Sequence, residues 1–314
     1  MDKPIPAPDR TIWRDGEFVP WEQATVHILA QSLQRGTLAF DYMSVHQTPR
    51  GPAIFRLAEH VERLIRTCEL AGLPLAYSKE ALIDACAESV RHNPGARSVK
   101  ISALIASIEV ELIPQDPTVS VFVAAYDSAA DIAARHETPL HFAEHVALKI
   151  EHAISNRRHD IIAPQMKVAA NYTSPMMAKW RARGEGFDDV LLLTENGFVA
   201  EAPTSNLFIV TAAGELLTSP AEQVLLGVTR ASVIELAAAA GLECHERNLT
   251  IDDVLSAREA FLSATSVGVW PVKRIDDVVF FDDEPGAVTS MLRAKLKRAS
   301  RGEEPGFEHW LYYV

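Results

Sequence analysis

Apolar residues recur at three- and four-residue spacing in two stretches of the first hundred positions, as on the buried face of an amphipathic helix. The first stretch covers residues 58–71, ends at Gly72-Leu73-Pro74, and carries on one face Val61, Leu64, Ile65 and Cys68. The second covers residues 79–92 and stops before Asn93-Pro94-Gly95. Because glycine and proline end helices, the pattern predicts two helices with these limits.

Elsewhere the apolar residues form short runs between turn residues, which is typical of β-strands. Asp15-Gly16 predicts a hairpin between residues 12–17 and 17–20, and two further strands are predicted at 98–112 and 119–126. In the second half, the predicted helices are 171–184 and 229–240, and the predicted strands are 146–150, 190–193, 198–200, 207–210, 215–218, 243–247 and 259–263. This mixture of elements predicts the α+β class.

A stretch of small and polar residues without a clear period covers positions 127–138. We interpret it as a connection between domains, since 314 residues suffice for two domains of ordinary size. The predicted division is a small N-terminal α/β domain at 1–127, a linker at 128–138 and a larger domain at 139–314.

Charge and cysteine content exclude several classes of protein. A net charge of −12 argues against nucleic-acid binding and against docking on anionic membranes, because both need a basic face. The three cysteines show no CxxC spacing, and no His/Cys cluster has metal-ligand spacing. No apolar run is long enough for a membrane span, and the first ten residues lack a signal-peptide core. We therefore expect a cytoplasmic protein without a metal site.

Lys167 is the lysine that stands out, because its neighbours at 166–172 are mostly apolar or small. A single lysine is most often a solvated surface residue. An ammonium in apolar surroundings is costly, however, and a lysine that loses its proton there can attack a carbonyl. Covalent attachment of pyridoxal phosphate (PLP) is one such use.

A PLP site also needs a partner for the pyridine nitrogen and a phosphate site. Glu201 follows a predicted hairpin and is a candidate for the first role, although it could equally be an exposed loop residue. Residues 226–230 precede an apolar-periodic helix, and a helix N-terminus can bind phosphate through its free N–H groups. The hydroxyl-rich turn Thr265-Ser266 could close this site, but either turn alone is more often simple helix capping.

Five motifs follow one another along the chain in the same order as in the class IV PLP-dependent aminotransferases, and the chain resembles this family. The family includes branched-chain and D-amino-acid aminotransferases, (R)-amine transaminases and aminodeoxychorismate lyase. The resemblance covers nearly the whole chain and is nearest to branched-chain aminotransferases. It is carried by residues 51–57 with Glu59-His60 and Arg63-Leu64, by Lys167 with Asn171-Tyr172, and by residues 197–201 and 227–230. It implies PLP fold type IV, in which the larger domain is a pseudo-barrel.

The resemblance also implies roles for single residues. Lys167 would form the Schiff base with PLP and move the proton between the substrate Cα and the cofactor C4′. Tyr172 would hydrogen-bond the ring oxygen, and Glu201 would pair with the ring nitrogen. The remaining cofactor contacts would be Arg63, Gly227, Val228, Thr229 and Thr265 at the phosphate and Leu225 against the ring. Without the rest of the pattern, Arg63 would be read as an exposed arginine paired with Glu59.

The substrate positions depart from the branched-chain pattern. The family's Phe-Glu-Gly-x-Arg stretch is here Phe40-Asp41-Tyr42-Met43-Ser44, and its Tyr-x-Arg is Ser98-Val99-Lys100. Lys100 and Arg35 are candidate carboxylate holders, although Lys100 could equally be an outward-facing strand lysine. The predicted substrate-binding residues are Phe40, Tyr42, Lys100, Arg35 and Ser266.

The predicted function is a PLP-dependent transaminase that moves an amino group between an amino acid or amine and an α-keto acid. The alternatives are a PLP lyase of the aminodeoxychorismate type, a D-amino-acid or (R)-amine transaminase, and a non-catalytic binding protein on the same fold. Because members of the family are at least dimers with sites near the interface, the resemblance also implies a homodimer.

Overall fold

The computed structural model describes residues 8–135 and 143–314. The last part of the predicted linker, 136–138, lies outside the described residues. Helices and strands alternate irregularly along the chain, and short helical turns occupy Ser128–Ile132 and Ala133–Arg135.

The helices are α1 (Gln31–Arg35), α2 (Leu57–Ala71), α3 (Lys79–His92), α4 (Thr173–Gly184), α5 (Val228–Ala239), α6 (Ile251–Leu255) and α7 (Ala287–Ala299). The strands are β1 (Thr11–Arg14), β2 (Glu17–Pro20), β3 (Ala39–Thr48), β4 (Gly51–Phe55), β5 (Ser98–Ile105), β6 (Val119–Tyr126), β7 (Val146–Glu151), β8 (Asp189–Leu193), β9 (Val199–Ala202), β10 (Ser205–Val210), β11 (Leu216–Thr218), β12 (Cys244–Glu246), β13 (Glu259–Ala264), β14 (Gly268–Ile275), β15 (Val278–Val279) and β16 (Leu311–Tyr313).

The first sheet has seven strands in the order β16-β4-β3-β5-β6-β1-β2. The predicted helices correspond to α2 and α3, and their apolar faces pack with the sheet into one hydrophobic core that includes Val61, Leu64 and Cys68. Along β3, buried residues alternate with half-exposed ones, so Phe40 and Tyr42 lie on the face opposite to this core. That open face is the one available to a ligand.

The second sheet closes into a barrel. Its strands follow the order β12-β11-β10-β13-β14-β7-β8-β9, and an additional pairing of β9 with β10 completes a ring of six strands. The closing pairs are Ala202 with Ser205 and Glu201 with Asn206. The α+β class with a pseudo-barrel is therefore confirmed, and the closure places Glu201 directly opposite Asn206.

One predicted strand is too long. The run 98–112 alternates between polar and apolar residues at both of its ends, but β5 ends at Ile105 because its partner β6 begins at Val119, which pairs with Ile105. Residues 106–118 therefore leave the sheet as a loop. Apolar side chains of this loop are exposed, which the alternation alone did not indicate.

The chain returns to the first sheet at its end. Strand β16 pairs antiparallel with β4, and the Val314 N–H donates to the Pro52 carbonyl. The domain limits 1–127, 128–138 and 139–314 stay a prediction, and this pairing adds the last residues to the N-terminal sheet. Within the described residues, no helix is both long and apolar enough to cross a membrane.

Candidate active site

The segment that carries Lys167 is fastened to the first sheet. The Phe40 N–H donates to the Lys167 carbonyl at 3.1 Å, and the Ala170 N–H donates to the Gly36 carbonyl at 3.1 Å. Gly36 has φ +71°, and a Cβ there would meet the Ala170 Cβ at 3.2 Å. Glycine is required at this position, because an L side chain would be both strained and crowded. The lysine backbone is thereby fixed beside the open face of β3.

The Lys167 ammonium lies against aromatic side chains. Its Nζ is 2.8 Å from the Tyr172 hydroxyl and 4.8 Å from the centre of the Phe40 ring. Lys100 Nζ lies 5.0 Å from the same ring. Although Lys100 is exposed, partial desolvation and the nearby charge of Lys167 lower its pKa. Two amines therefore face one aromatic ring.

Glu201 is buried at the closure of the barrel, with 2% of its surface exposed. Its carboxylate accepts from Arg157 Nη1 at 2.7 Å, from Asn206 Nδ2 at 3.1 Å and from the Leu225 N–H at 3.2 Å. Burial raises the pKa of Glu201, and the Arg157 charge and the Leu225 N–H oppose that rise. Three donors on one buried carboxylate favour its ionised form.

Arg157 joins the two residues predicted to flank the cofactor ring. Besides its bond to Glu201, it donates from Nε to the Asn171 carbonyl at 3.2 Å and from Nη2 to the Pro203 carbonyl at 3.0 Å. Its guanidinium lies 5.0 Å from the centre of the Tyr172 ring. Because Arg157 is nearly fully buried, this ion pair is shielded from solvent.

The N-terminus of α5 provides donors for an anion. The first N–H groups of a helix have no intrahelical partner, and the helix dipole favours negative charge there. Gly227 precedes the helix, and a Cβ on it would lie 2.1 Å from Asn206 Oδ1. Ser263 lies nearby, and its buried hydroxyl has no hydrogen-bond partner within the described parts of the chain. These groups can therefore donate to a bound anion.

One pocket collects these groups from helix α2, the segments that carry Arg157 and Lys167, the barrel strands and the start of α5. It is lined by Arg63, Arg157, Lys167, Glu201, Pro203, Thr204, Ser205, Asn206, Leu225, Gly227, Val228, Thr229, Ser263, Ala264 and Thr265. An amine and a carboxylate thus share a pocket with a helix N-terminus and two arginines. No group of three or more metal-ligating side chains occurs among residues 8–135 and 143–314.

The family model described as amino-transferase class IV matches residues 38–275. This chain belongs to the class IV aminotransferases. The branched-chain-amino-acid aminotransferase of Pseudomonas aeruginosa is 29% identical over 305 residues, with 96% of each chain covered. The branched-chain aminotransferase of the archaeon Thermoproteus uzoniensis, solved with norvaline, has a TM-score of 0.87 at 28% identity, covering 96% of this chain and 98% of the other. The PLP form of the Thermobaculum terrenum enzyme has a TM-score of 0.85 at 26% identity, covering 97% and 98%.

Pyridoxal 5′-phosphate is the cofactor of this aminotransferase, and the pocket fits it. The donors of α5, Arg63 and the Ser263 hydroxyl suit a phosphate, and Lys167 suits an aldehyde. Gly227 lets the Asn206 side chain pack against the start of α5, where a Cβ would collide with Asn206 Oδ1. The enzyme transfers an amino group between an amino donor and a keto acid, as the family does.

The structure brings most of the predicted cofactor residues together. The pocket contains Arg63, Lys167, Glu201, Leu225, Gly227, Val228, Thr229 and Thr265, and Tyr172 contacts Lys167. Ser266 is exposed in the adjoining turn and is absent from the described lining. Arg35 is exposed, and its Nη2 lies 3.4 Å from the Val110 carbonyl. Arg63 does not pair with Glu59, which binds Arg56 instead.

Sequence reasoning missed four residues that hold the site in place. Asp41 and His60 form a buried pair beside Arg63, and Arg157 and Asn206 hold Glu201. All four stood inside recognised motifs or a basic stretch, but their partners lie 5 to 44 positions away. A buried polar residue needs a hydrogen-bond partner. Polar residues inside these motifs were therefore the signal in the sequence that such partners exist.

Proposed function

We propose that this aminotransferase resembles the branched-chain aminotransferases in its cofactor site but recognises its substrate with a pocket that differs from theirs. The observation that supports this most directly is the shared position of Lys167 and Lys100 at the Phe40 ring. Lys167 supplies the reacting amine, and Lys100 supplies a positive charge on the wall next to it. Lys100 would therefore hold the carboxylate of a substrate that reacts at Lys167.

Lys167 is the proposed catalytic base and acid. Bound PLP supplies a ring that takes up the electrons of the broken Cα–H bond. Lys167 Nζ would take the proton from the substrate Cα and deliver it to C4′ of the cofactor, and the Tyr172 hydroxyl at 2.8 Å orients the amine. The substrate Cα and the cofactor C4′ must both lie within reach of the flexible Lys167 side chain. The backbone that is fixed at Phe40 holds this side chain in place for both.

Glu201 and its partners are proposed to hold the ring nitrogen. An ionised carboxylate keeps that nitrogen protonated, and protonation increases the electron demand of the ring. Arg157 and the Leu225 N–H keep Glu201 charged despite its burial. The proposed phosphate ligands are Arg63, Val228, Thr229 and Thr265, next to Gly227, with Leu225 packing against the ring.

The substrate wall is the open face of the first sheet. Tyr42 and Lys100 are directly paired on β3 and β5, and Phe40 follows toward Lys167. The Tyr42 hydroxyl lies 2.6 Å from Ser98 Oγ, which fixes its ring. A lysine is a point charge and binds a carboxylate without the two parallel bonds of arginine. The pocket therefore selects for negative charge more than for carboxylate geometry.

Replacing Lys100 with alanine should raise KM about tenfold for donors with a carboxylate and change it little for a simple amine. Donor-induced loss of the cofactor absorption and its recovery with a keto acid can be measured for L-leucine, D-alanine, L-glutamate and (R)-1-phenylethylamine. Lys297→Ala removes an exposed lysine of α7 that is absent from the described pocket lining; it is the matched control and should leave both KM values unchanged. Equal KM changes for amines and carboxylates would remove Lys100 from this role, and release of pyruvate from aminodeoxychorismate without a keto acid would favour a lyase.

A homodimer is proposed from an exposed apolar surface. The loop 106–118 bridges to α1 through the Ala30–Ile108 pair and the Gln31 N–H to the Ser107 carbonyl. Exposed apolar side chains that lie together on a protein surface mark interaction sites. The exposed residues are Ile28, Leu29, Leu33, Ile108, Val110, Leu112 and Ile113. Arg35 borders this surface and would then lie at the subunit contact.

Introducing charge there should separate the subunits. Val110→Asp combined with Ile113→Asp is expected to reduce the particle mass in solution to about half, because unpaired charges are excluded from an apolar interface. Light scattering measures the mass. Val279→Asp changes another exposed apolar residue, on β15, and should leave the mass unaltered. An unchanged mass for the double variant would place the contact elsewhere. The cytoplasmic location stays a prediction.

A further inference from the structure

Asp41 is a buried acid that joins the substrate strand to the cofactor pocket. It lies on β3 between Phe40 and Tyr42 and is 0% exposed, with its side chain on the opposite face from theirs. Its carboxylate accepts from Arg63 Nε and Nη2, both at 2.8 Å, from His60 Nδ1 at 2.7 Å and from the Tyr42 N–H at 2.7 Å. Four hydrogen bonds fix the orientation of this carboxylate.

The contact between Asp41 and Arg63 occupies one edge of the guanidinium. Arginine has five N–H donors in a rigid plane. Two of them bind Asp41, and a third, on Nη1, donates to the Leu226 carbonyl at 3.0 Å. Nη2 also lies 3.4 Å from His60 Nδ1, but that nitrogen donates its proton to Asp41 and therefore does not accept from Arg63. Two N–H donors of Arg63 remain, and Arg63 lines the pocket beside α5. Arg63 is therefore oriented before any ligand arrives.

His60 does not compete with Arg63 for the charge of Asp41. Burial lowers the pKa of His60, although Asp41 opposes this, so the imidazole is neutral. Its Nε2 is buried without a partner in the part of the chain that the structure describes. Burial alone would raise the pKa of the Asp41 carboxyl, but the charge of Arg63 and the bonds from His60 and Arg63 hold it well below its usual value. One anion is thus balanced by one cation.

We propose that Asp41 is a positioning residue for cofactor recognition: it clamps Arg63 so that its two remaining N–H groups face the phosphate. This inference rests on the proposed role of Arg63 as a phosphate ligand. Because Asp41 balances the charge of Arg63, the arginine contributes directed hydrogen bonds more than net positive charge. Pre-orientation also removes the rotamer entropy that a free arginine would lose on binding.

The test compares PLP with pyridoxal, which lacks the phosphate, on the full chain after removal of the cofactor. Asp41→Asn presents an amide N–H₂ group to the guanidinium and breaks the clamp. We expect the affinity for PLP to fall about tenfold or more while that for pyridoxal is unchanged, so that their ratio falls. Absorbance of the bound aldehyde gives both affinities. A merely structural role would weaken both ligands equally, and that result would overturn the proposal.

Variants of Arg63 separate this proposal from the one on which it rests. Arg63→Met should abolish most of the preference for PLP over pyridoxal. If it does not, Arg63 is not a phosphate ligand. If Arg63→Met lowers the ratio and Asp41→Asn leaves it at the wild-type value, only the role of Asp41 is wrong.

Arg63→Lys decides the question even if Asp41→Asn does not fold. It keeps the positive charge and loses the side-on contact, so we expect it to lose most of the preference for PLP. Retention of the wild-type ratio would show that orientation is not required and would overturn the proposal. Asp189→Asn is the matched control, since Asp189 is a buried acid bound to Lys179 and neither residue lines the described pocket. It should lower the melting temperature without changing the ratio.

Discussion

Replacing Lys167 with alanine is expected to lower kcat/KM for transamination about a thousandfold or more and to abolish the absorption of covalently attached cofactor. The amine is the group that attacks the cofactor aldehyde and the group that moves the proton, so its loss affects both steps. No other described lysine occupies the pocket lining. Steady-state kinetics and a visible spectrum of the purified variant measure the two losses.

The variant should remain folded. The backbone of the lysine segment is held by Leu38 and Phe40, and these bonds do not involve the side chain. The melting temperature should therefore change little. Lys79→Ala, which removes a half-exposed lysine paired with Glu62, is the control and should retain activity. Turnover by Lys167→Ala at the wild-type rate would show that the catalytic amine lies elsewhere.

Glu201→Gln is expected to produce the second-largest effect, a decrease of kcat of about a hundredfold or more with the cofactor still bound. Glutamine has the shape of the side chain but no charge to hold the ring nitrogen protonated. It also leaves Arg157 buried without its counter-ion, and breaking a buried ion pair costs about 3–5 kcal/mol of stability. Kinetics and thermal unfolding test the two parts separately.

Glu259→Gln distinguishes the chemical loss from a loss of stability. Glu259 is also a buried glutamate, but it accepts from the N–H and hydroxyl of Thr289 at 2.8 Å, at the start of α7. Removing its charge weakens a helix N-terminus by about 1 kcal/mol and should leave kcat unchanged. If both glutamine variants lost activity equally, destabilisation would explain the effect and Glu201 would have no special role.

Local sequence determined much of the secondary structure. Helix α3 has the predicted limits, and α2 begins one residue before its predicted start, at Leu57. Both are recognisable because a period near 3.6 and flanking turn residues depend only on neighbours in the chain. Strand β5 was predicted too long for the opposite reason. Its end depends on where β6 begins, which is information from a distant segment.

The motifs around Lys167, Glu201 and Gly227 were recognisable in the sequence, because each is a short run of residues with its own chemistry. The tertiary structure decided which groups these residues meet. Barrel closure sets Glu201 opposite Asn206, and folding brings Arg157 to Glu201 and Asp41 to Arg63. Hydrogen bonds and ion pairs depend on distances of about 3 Å in space, and separation along the chain does not encode these distances. The sequence thus determined the family and its chemistry. Only the fold decided which partner neutralises each charged group and how that group is oriented.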